Sequence, residues 1–170
     1  MVRGSGLRYP PGMVEVPIRR ILVPLDLGRD PEDLCSYAVR LGRQLGADLL
    51  FLSVIDSPTI IALIERRPAV QEGPREGFRD RLLSDARTIL RALIDQAQGE
   101  GVRATGHAIV SEEPVREILA EAENRGVDLI LLLHEPHGSL ARLFLGDAAD
   151  AVLEGAPCPV LLMRVGKTKA

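Results

Sequence analysis

From residue 18 onward, short apolar runs alternate with stretches of helical spacing. Ile18–Leu25 (IRRILVPL) reads as a first strand, ending at Asp26. Gly28, Asp30 and Pro31 mark a turn into a helix, with Asp30 as N-cap and Pro31 at the first helical position. Leu34, Tyr37, Ala38, Leu41 and Leu45 then form one apolar stripe, and Gly46 ends the helix. Ala47–Ile55 (ADLLFLSVI) is a second strand. Thr59–Glu65 could form a short helix, and Arg66–Gly77 is polar, broken by Pro and Gly, and expected to be a mobile loop. Phe78, Leu82, Leu83, Ala86, Ile89, Leu90, Leu93 and Ala97 trace a long amphipathic helix closed by Gly99 and Gly101.

Val102–Val110 alternates small apolar with polar residues and reads as a third strand. Ser111 is placed to cap a helix with apolar positions Val115, Ile118, Leu119 and Ala122, and Gly126 ends it. The fourth strand begins at Val127, and its unbroken run Leu129–Leu133 is what a strand covered on both faces requires. Ala148–Leu153 has helical spacing, stopped by Gly155, Pro157 and Pro159. Val160–Met163 is a short fifth strand. Strict alternation of strand and helix predicts an α/β domain, an open Rossmann-like parallel sheet with helices on both faces. Ligands in such folds sit outside the carboxyl ends of the strands. Attention therefore falls on Asp26 and on the loop between Leu133 and Gly146.

Composition narrows the function classes. The chain has 170 residues, one domain by size, and its 46% apolar content excludes an intrinsically disordered chain. Aromatics at 3% and a net charge of −3 argue against a nucleic-acid surface. No apolar run is long enough to span a bilayer. Residues 1–17 lack an apolar signal core and are expected to be a flexible leader; 18–165 form the domain and 166–170 a tail. Cys35 and Cys158 suggest neither a disulfide framework nor a zinc site, so a reduced cytoplasm is the expected compartment.

Catalytic chemistry is hard to place. His134 and His137, in His-Glu-Pro-His, are spaced for a metal pair or, when protonated, an anion, but no third ligand is evident nearby. His107 is expected to be structural. Neither cysteine has a neighbouring His, and Ser36, Ser111 and Ser139 lack a nucleophile-elbow context. No metal and no catalytic residue is expected.

Three segments, ILVPLD (Ile21–Asp26), LLFLSVID and LARLFLGDAADAVLEGAPCPVLLM, resemble the universal stress protein (UspA) family over residues 18 to 165. The expected strand order is 3-2-1-4-5. ATP-binding members carry Gly-x2-Gly-x9-Gly-Ser/Thr after strand four. Anchored on Gly146, the two upstream glycine positions fall on Leu133 and Pro136, and the Ser/Thr position on Asp147. Pro136 removes an N–H donor, and Asp147 puts a carboxylate where phosphate would lie. Asp147 also suits a helix N-cap. Gly138 lies two residues off register.

The resemblance implies a possible nucleoside site at Pro24, Leu25, Asp26 and Val54, with Gly138 and Gly146 as further contacts if the loop takes a non-standard path; the simpler reading of Asp26 is a cap of its turn. It also implies a homodimer paired through Val160, Leu161, Leu162 and Met163. The expected function is a non-enzymatic stress-response or regulatory protein with a degraded ATP motif, no expected cofactor and unknown protein partners. One alternative is an ATP- or AMP-binding module using a non-standard phosphate loop. Another is weak ATP hydrolysis or metal-assisted chemistry at His134 and His137.

Overall fold

The computed structural model describes residues 17–26, 31–56, 75–134 and 146–164. Five strands and four helices alternate: β1 (Arg20–Leu25), α1 (Glu32–Leu45), β2 (Asp48–Asp56), α2 (Arg75–Gly99), β3 (Ala104–Ser111), α3 (Pro114–Asn124), β4 (Leu129–His134), α4 (Gly146–Gly155) and β5 (Val160–Arg164). The strands form one sheet in the order β3-β2-β1-β4-β5, and every pair is parallel. The expected fold class and strand order are both observed.

Side-chain alternation divides the core into two layers. Ile21, Val23, Leu49, Phe51, Leu129 and Leu131 face α1 and α2. Leu22, Leu50, Leu52, Ile130 and Leu132 face α3 and α4. Since both faces are covered, the middles of the central strands run Ile21–Leu25 and Leu49–Leu52 without polar residues, rather than apolar at every second position.

Phe51 is the largest fully buried side chain. Its partner on β3 is Gly106, where an added Cβ would lie 2.6 Å from the Phe51 carbonyl oxygen. Gly106→Val is therefore expected to destabilise the fold by about 1–3 kcal/mol through overpacking, measured by urea unfolding. Gly42 has a related role in α1: a Cβ there would sit 3.2 Å from the Ala47 carbonyl, Leu49 and Val102, where the helix closes on the sheet.

Several local expectations shift. Pro31 occupies the N-cap of α1 rather than its first helical position, and its carbonyl accepts the Cys35 N–H at 2.9 Å. Asp30 lies outside the described residues. Leu45 was expected on the buried stripe but is 45% exposed. It is the last residue of α1, and Ala47, after the left-handed Gly46, takes the inward place. Ile89 is exposed, and Ile94 packs inward instead, between Leu90 and Ala97. Leu153 is also exposed, since α4 turns Ala149 and Val152 to the sheet.

Arg75–Gly77, expected in a loop, belong to α2, which begins at Arg75, and the rest of that expected loop lies outside the described residues. Pro74 just precedes the helix in sequence, and Arg75 and Glu76 favour helix. Ser111 does not cap α3; the N-cap is Glu113, with Pro114 at the first helical position. The Ser111 hydroxyl instead accepts the Glu113 N–H and donates to the Glu117 carboxylate. The proposed helix Thr59–Glu65, the rest of the segment 57–74, residues 1–16 and the tail 166–170 lie outside the described residues.

Candidate functional site

Strand order reverses at β1. Its crossover through α1 leads to β2 on one side, while β4 lies on the other. That reversal sets β1 beside β4, and their carboxyl ends mark the position where open α/β sheets bind ligands.

Pro24 and Leu25 close β1 opposite Leu52 and Ser53 of β2. Both are buried, and Asp26 follows at the strand tip, half-buried. Asp26 is engaged by a neighbour rather than free. Val54 is half-buried on β2, paired with Ile109, and packs towards the α3/α4 layer. The structure therefore brings Pro24, Leu25, Asp26 and Val54 to one end of the sheet.

Ser53 belongs there too and escaped the sequence reading. It is the one buried polar residue among the described residues, 2% exposed, flanked by Leu25 and Ala108 on neighbouring strands. A single hydroxyl inside LLFLSVI was the only signal available for it.

The opposite wall is only partly described. Leu133 is a strand residue, paired with Met163, and its side chain packs against the α1/α2 layer. His134 ends β4, and Gly146 and Asp147 open α4. Asp147 is thus the second residue of α4. Pro136, His137, Gly138 and Ser139 lie outside the described residues. Among the described residues, no group of three or more His, Cys, Asp or Glu could hold a metal.

The remaining reactive groups sit elsewhere. Cys35 is buried in the α1/α2 layer. Cys158 is half-buried between α4 and β5, and burial pushes its thiol pKa up, aided by the Asp128 carboxylate and opposed by a hydrogen bond to the Ile130 backbone. A nucleophile needs the opposite shift. Cys158 should therefore alkylate slowly with iodoacetamide at pH 7 and faster only in alkaline solution. Rapid labelling at neutral pH would contradict this environment. His107 faces α3, with Nε2 3.9 Å from a Glu121 carboxylate oxygen.

No described helix is long and apolar enough to cross a membrane.

The universal stress protein family model matches residues 17–164. Universal stress protein MJ0531 of Methanocaldococcus jannaschii is 27% identical over 150 residues, covering 88% of this chain and 84% of that protein. UspA of Lactobacillus plantarum shares the fold, with a TM-score of 0.66 at 21% identity, covering 86% of this chain and 98% of that one. A universal stress protein of Archaeoglobus fulgidus in complex with dAMP has a TM-score of 0.58 at 18% identity, covering 85% of this chain and 96% of that one. With nearly the whole domain matched, from Pro17 through β5, the chain belongs to the universal stress protein family.

Proposed function

We propose that this protein is a non-enzymatic stress-response regulator whose switch-point site keeps the nucleoside half and has lost the phosphate half. The observation that carries this reading is the set of residues at the family's phosphate positions. Pro136 offers no backbone N–H, and Asp147 brings a carboxylate to the first turn of α4, where a phosphate would need the helix's positive end free. At ~4 Å, a carboxylate and a phosphate oxygen repel by about 4 kcal/mol at an effective dielectric near 20. Leu133 stands at the remaining glycine position. Gly146 is the only one of the three glycines kept.

The nucleoside half rests on Pro24, Leu25, Asp26 and Val54 at the tips of β1 and β2. Relatives of the same fold crystallised with dAMP and with cAMP support a nucleotide, and a monophosphate, as the ligand class. The competing reading, a full ATP site built on a different loop path, would depend on Gly138 and Gly146. Acid-denatured protein fresh from purification is expected to release no ATP into the supernatant. Stoichiometric ATP there would favour the competing reading.

ATP hydrolysis or metal-assisted chemistry at His134 and His137 is the enzymatic alternative. Turnover abolished in a His134→Ala, His137→Ala double variant would establish it; the regulator reading expects no turnover.

The protein is further proposed to be a homodimer through β5. That strand lies at one edge of the sheet, and Val160, Leu161, Leu162 and Met163 are all half-buried, unlike their fully buried counterparts in β1. Leu161 and Met163 lean on one core layer, Val160 and Leu162 on the other, so a second chain would pair along the backbone edge. Sedimentation at micromolar concentration should give twice the chain mass. A monomer would remove this element of the proposal.

A further inference from the structure

The end of the sheet opposite the switch point holds a second feature. Here the strands begin, and an open groove of about 760 Å³ runs between the start of β1, the α2–β3 turn and the end of α3. Its polar lining includes Arg20, Asp48, Gln98, Arg103, Asn124 and Arg125. Three guanidinium groups and the Asp48 carboxylate therefore line the groove, and a second carboxylate, Glu121, pairs with Arg125 from outside the lining.

Each guanidinium is held at one edge. Arg103 Nε donates to Asp48 at 2.8 Å. Arg125 Nε lies 3.2 Å from Glu121 Oε1, in an ion pair whose angles make no hydrogen bond. Glu121 is only 15% exposed, so this contact fixes Arg125 against a buried carboxylate. Arg20 donates from Nη1 to the carbonyl of Arg125, the C-cap of α3, and offsets the negative end of that helix.

These contacts use the Nε side of Arg103 and Arg125 and one Nη of Arg20. The remaining N–H donors make no hydrogen bond to described residues. Guanidinium forks anchored in this way match the oxygens of a carboxylate or phosphoryl group in pairs. Because their partners already restrain them, less side-chain entropy is lost on binding than for free surface arginines.

We propose that this groove is a binding site for a small multivalent oxyanion, a polycarboxylate or a phosphoryl compound, held by Arg20, Arg103 and Arg125. The site is independent of the nucleotide site, since the two lie at opposite ends of the sheet.

An NMR titration of the full chain tests it, using citrate and inorganic phosphate in parallel, with sodium chloride at matched ionic strength as control. Saturable shifts at millimolar anion are expected at the amides of Gly101, Arg103, Thr105 and Arg125, and not with chloride. The stronger of the two responses identifies the ligand chemistry. Arg103 is 85% exposed, so Arg103→Ala should keep the fold and weaken binding about ten-fold, or ~1.4 kcal/mol. Arg103→Lys keeps the charge without the fork and should also bind several-fold more weakly. Shifts spread over the surface, a response equal to that of chloride, or an Arg103→Lys variant that binds like the unmodified protein would each overturn the proposal.

Discussion

Phe51→Ala is expected to cost about 3–5 kcal/mol of folding stability, the range for deleting a fully buried aromatic side chain. Phe51 is 0% exposed and stands in the middle of β2, between Val23 of β1 and Gly106 of β3. Few large side chains can share its work, because aromatics make up only 3% of the chain. The buried part of the α1/α2 layer is otherwise Leu, Ile, Val, Ala and Cys35, so the space left by the ring has short neighbours that cannot close over it. For a domain of this size, the loss corresponds to a fall in Tm of roughly 10 °C. Phe51→Leu should cost much less, since it keeps most of the volume. Equal costs for the two variants would contradict the cavity account.

The second large effect is expected at Asp128, just before β4. One carboxylate oxygen accepts the backbone N–H groups of Arg19 at 2.8 Å and Arg20 at 2.9 Å. The Asp128 N–H donates in turn to the Arg20 carbonyl at 3.0 Å. The register of β1 with β4 covers Ile21↔Leu129 and Leu22↔Ile130, so the side chain extends a short ladder past its end. Bonds to a charged group contribute about 1.5–3 kcal/mol each, less where water can replace them. With Arg19 and Arg20 exposed, Asp128→Ala is expected to lower stability by about 2–3 kcal/mol by chemical denaturation. Asp128→Asn keeps an acceptor and should recover roughly half. An alanine variant as stable as the parent would show that solvent substitutes fully for the carboxylate.

The fold was legible because its strongest signal is local. A strand covered on both faces is an unbroken apolar run, and Leu129–Leu133 or Ile21–Leu25 cannot be mistaken for an exposed segment. Periodicity does not reveal where a helix overhangs its sheet. Leu45 and Ile89 therefore counted as inward in the sequence but are exposed in the fold.

The position of Asp26 and Val54 at the carboxyl end of the sheet was legible through family resemblance and topology together. Ser53 was not, since one hydroxyl in an apolar strand has no pattern around it. Arg20, Arg103 and Arg125 could not be grouped from the sequence at all. Long stretches of chain separate them, and only the parallel sheet, which gathers all strand starts at one end, brings them to one groove.

The proposed site keeps its nucleoside half and has lost its phosphate half. Thermal unfolding of the purified protein with AMP, ADP and ATP, each with and without Mg²⁺, tests this most directly. A ligand present at 100 times its dissociation constant adds about 2.7 kcal/mol, several degrees of Tm for a domain of this size. A rise with AMP and none with ATP or ADP is expected, and no rise with AMP would show that the nucleoside half is lost as well. A rise of several degrees with ATP, larger than any produced by AMP, would contradict the loss of the phosphate half. That result would mean a working phosphate loop despite Leu133, Pro136 and Asp147.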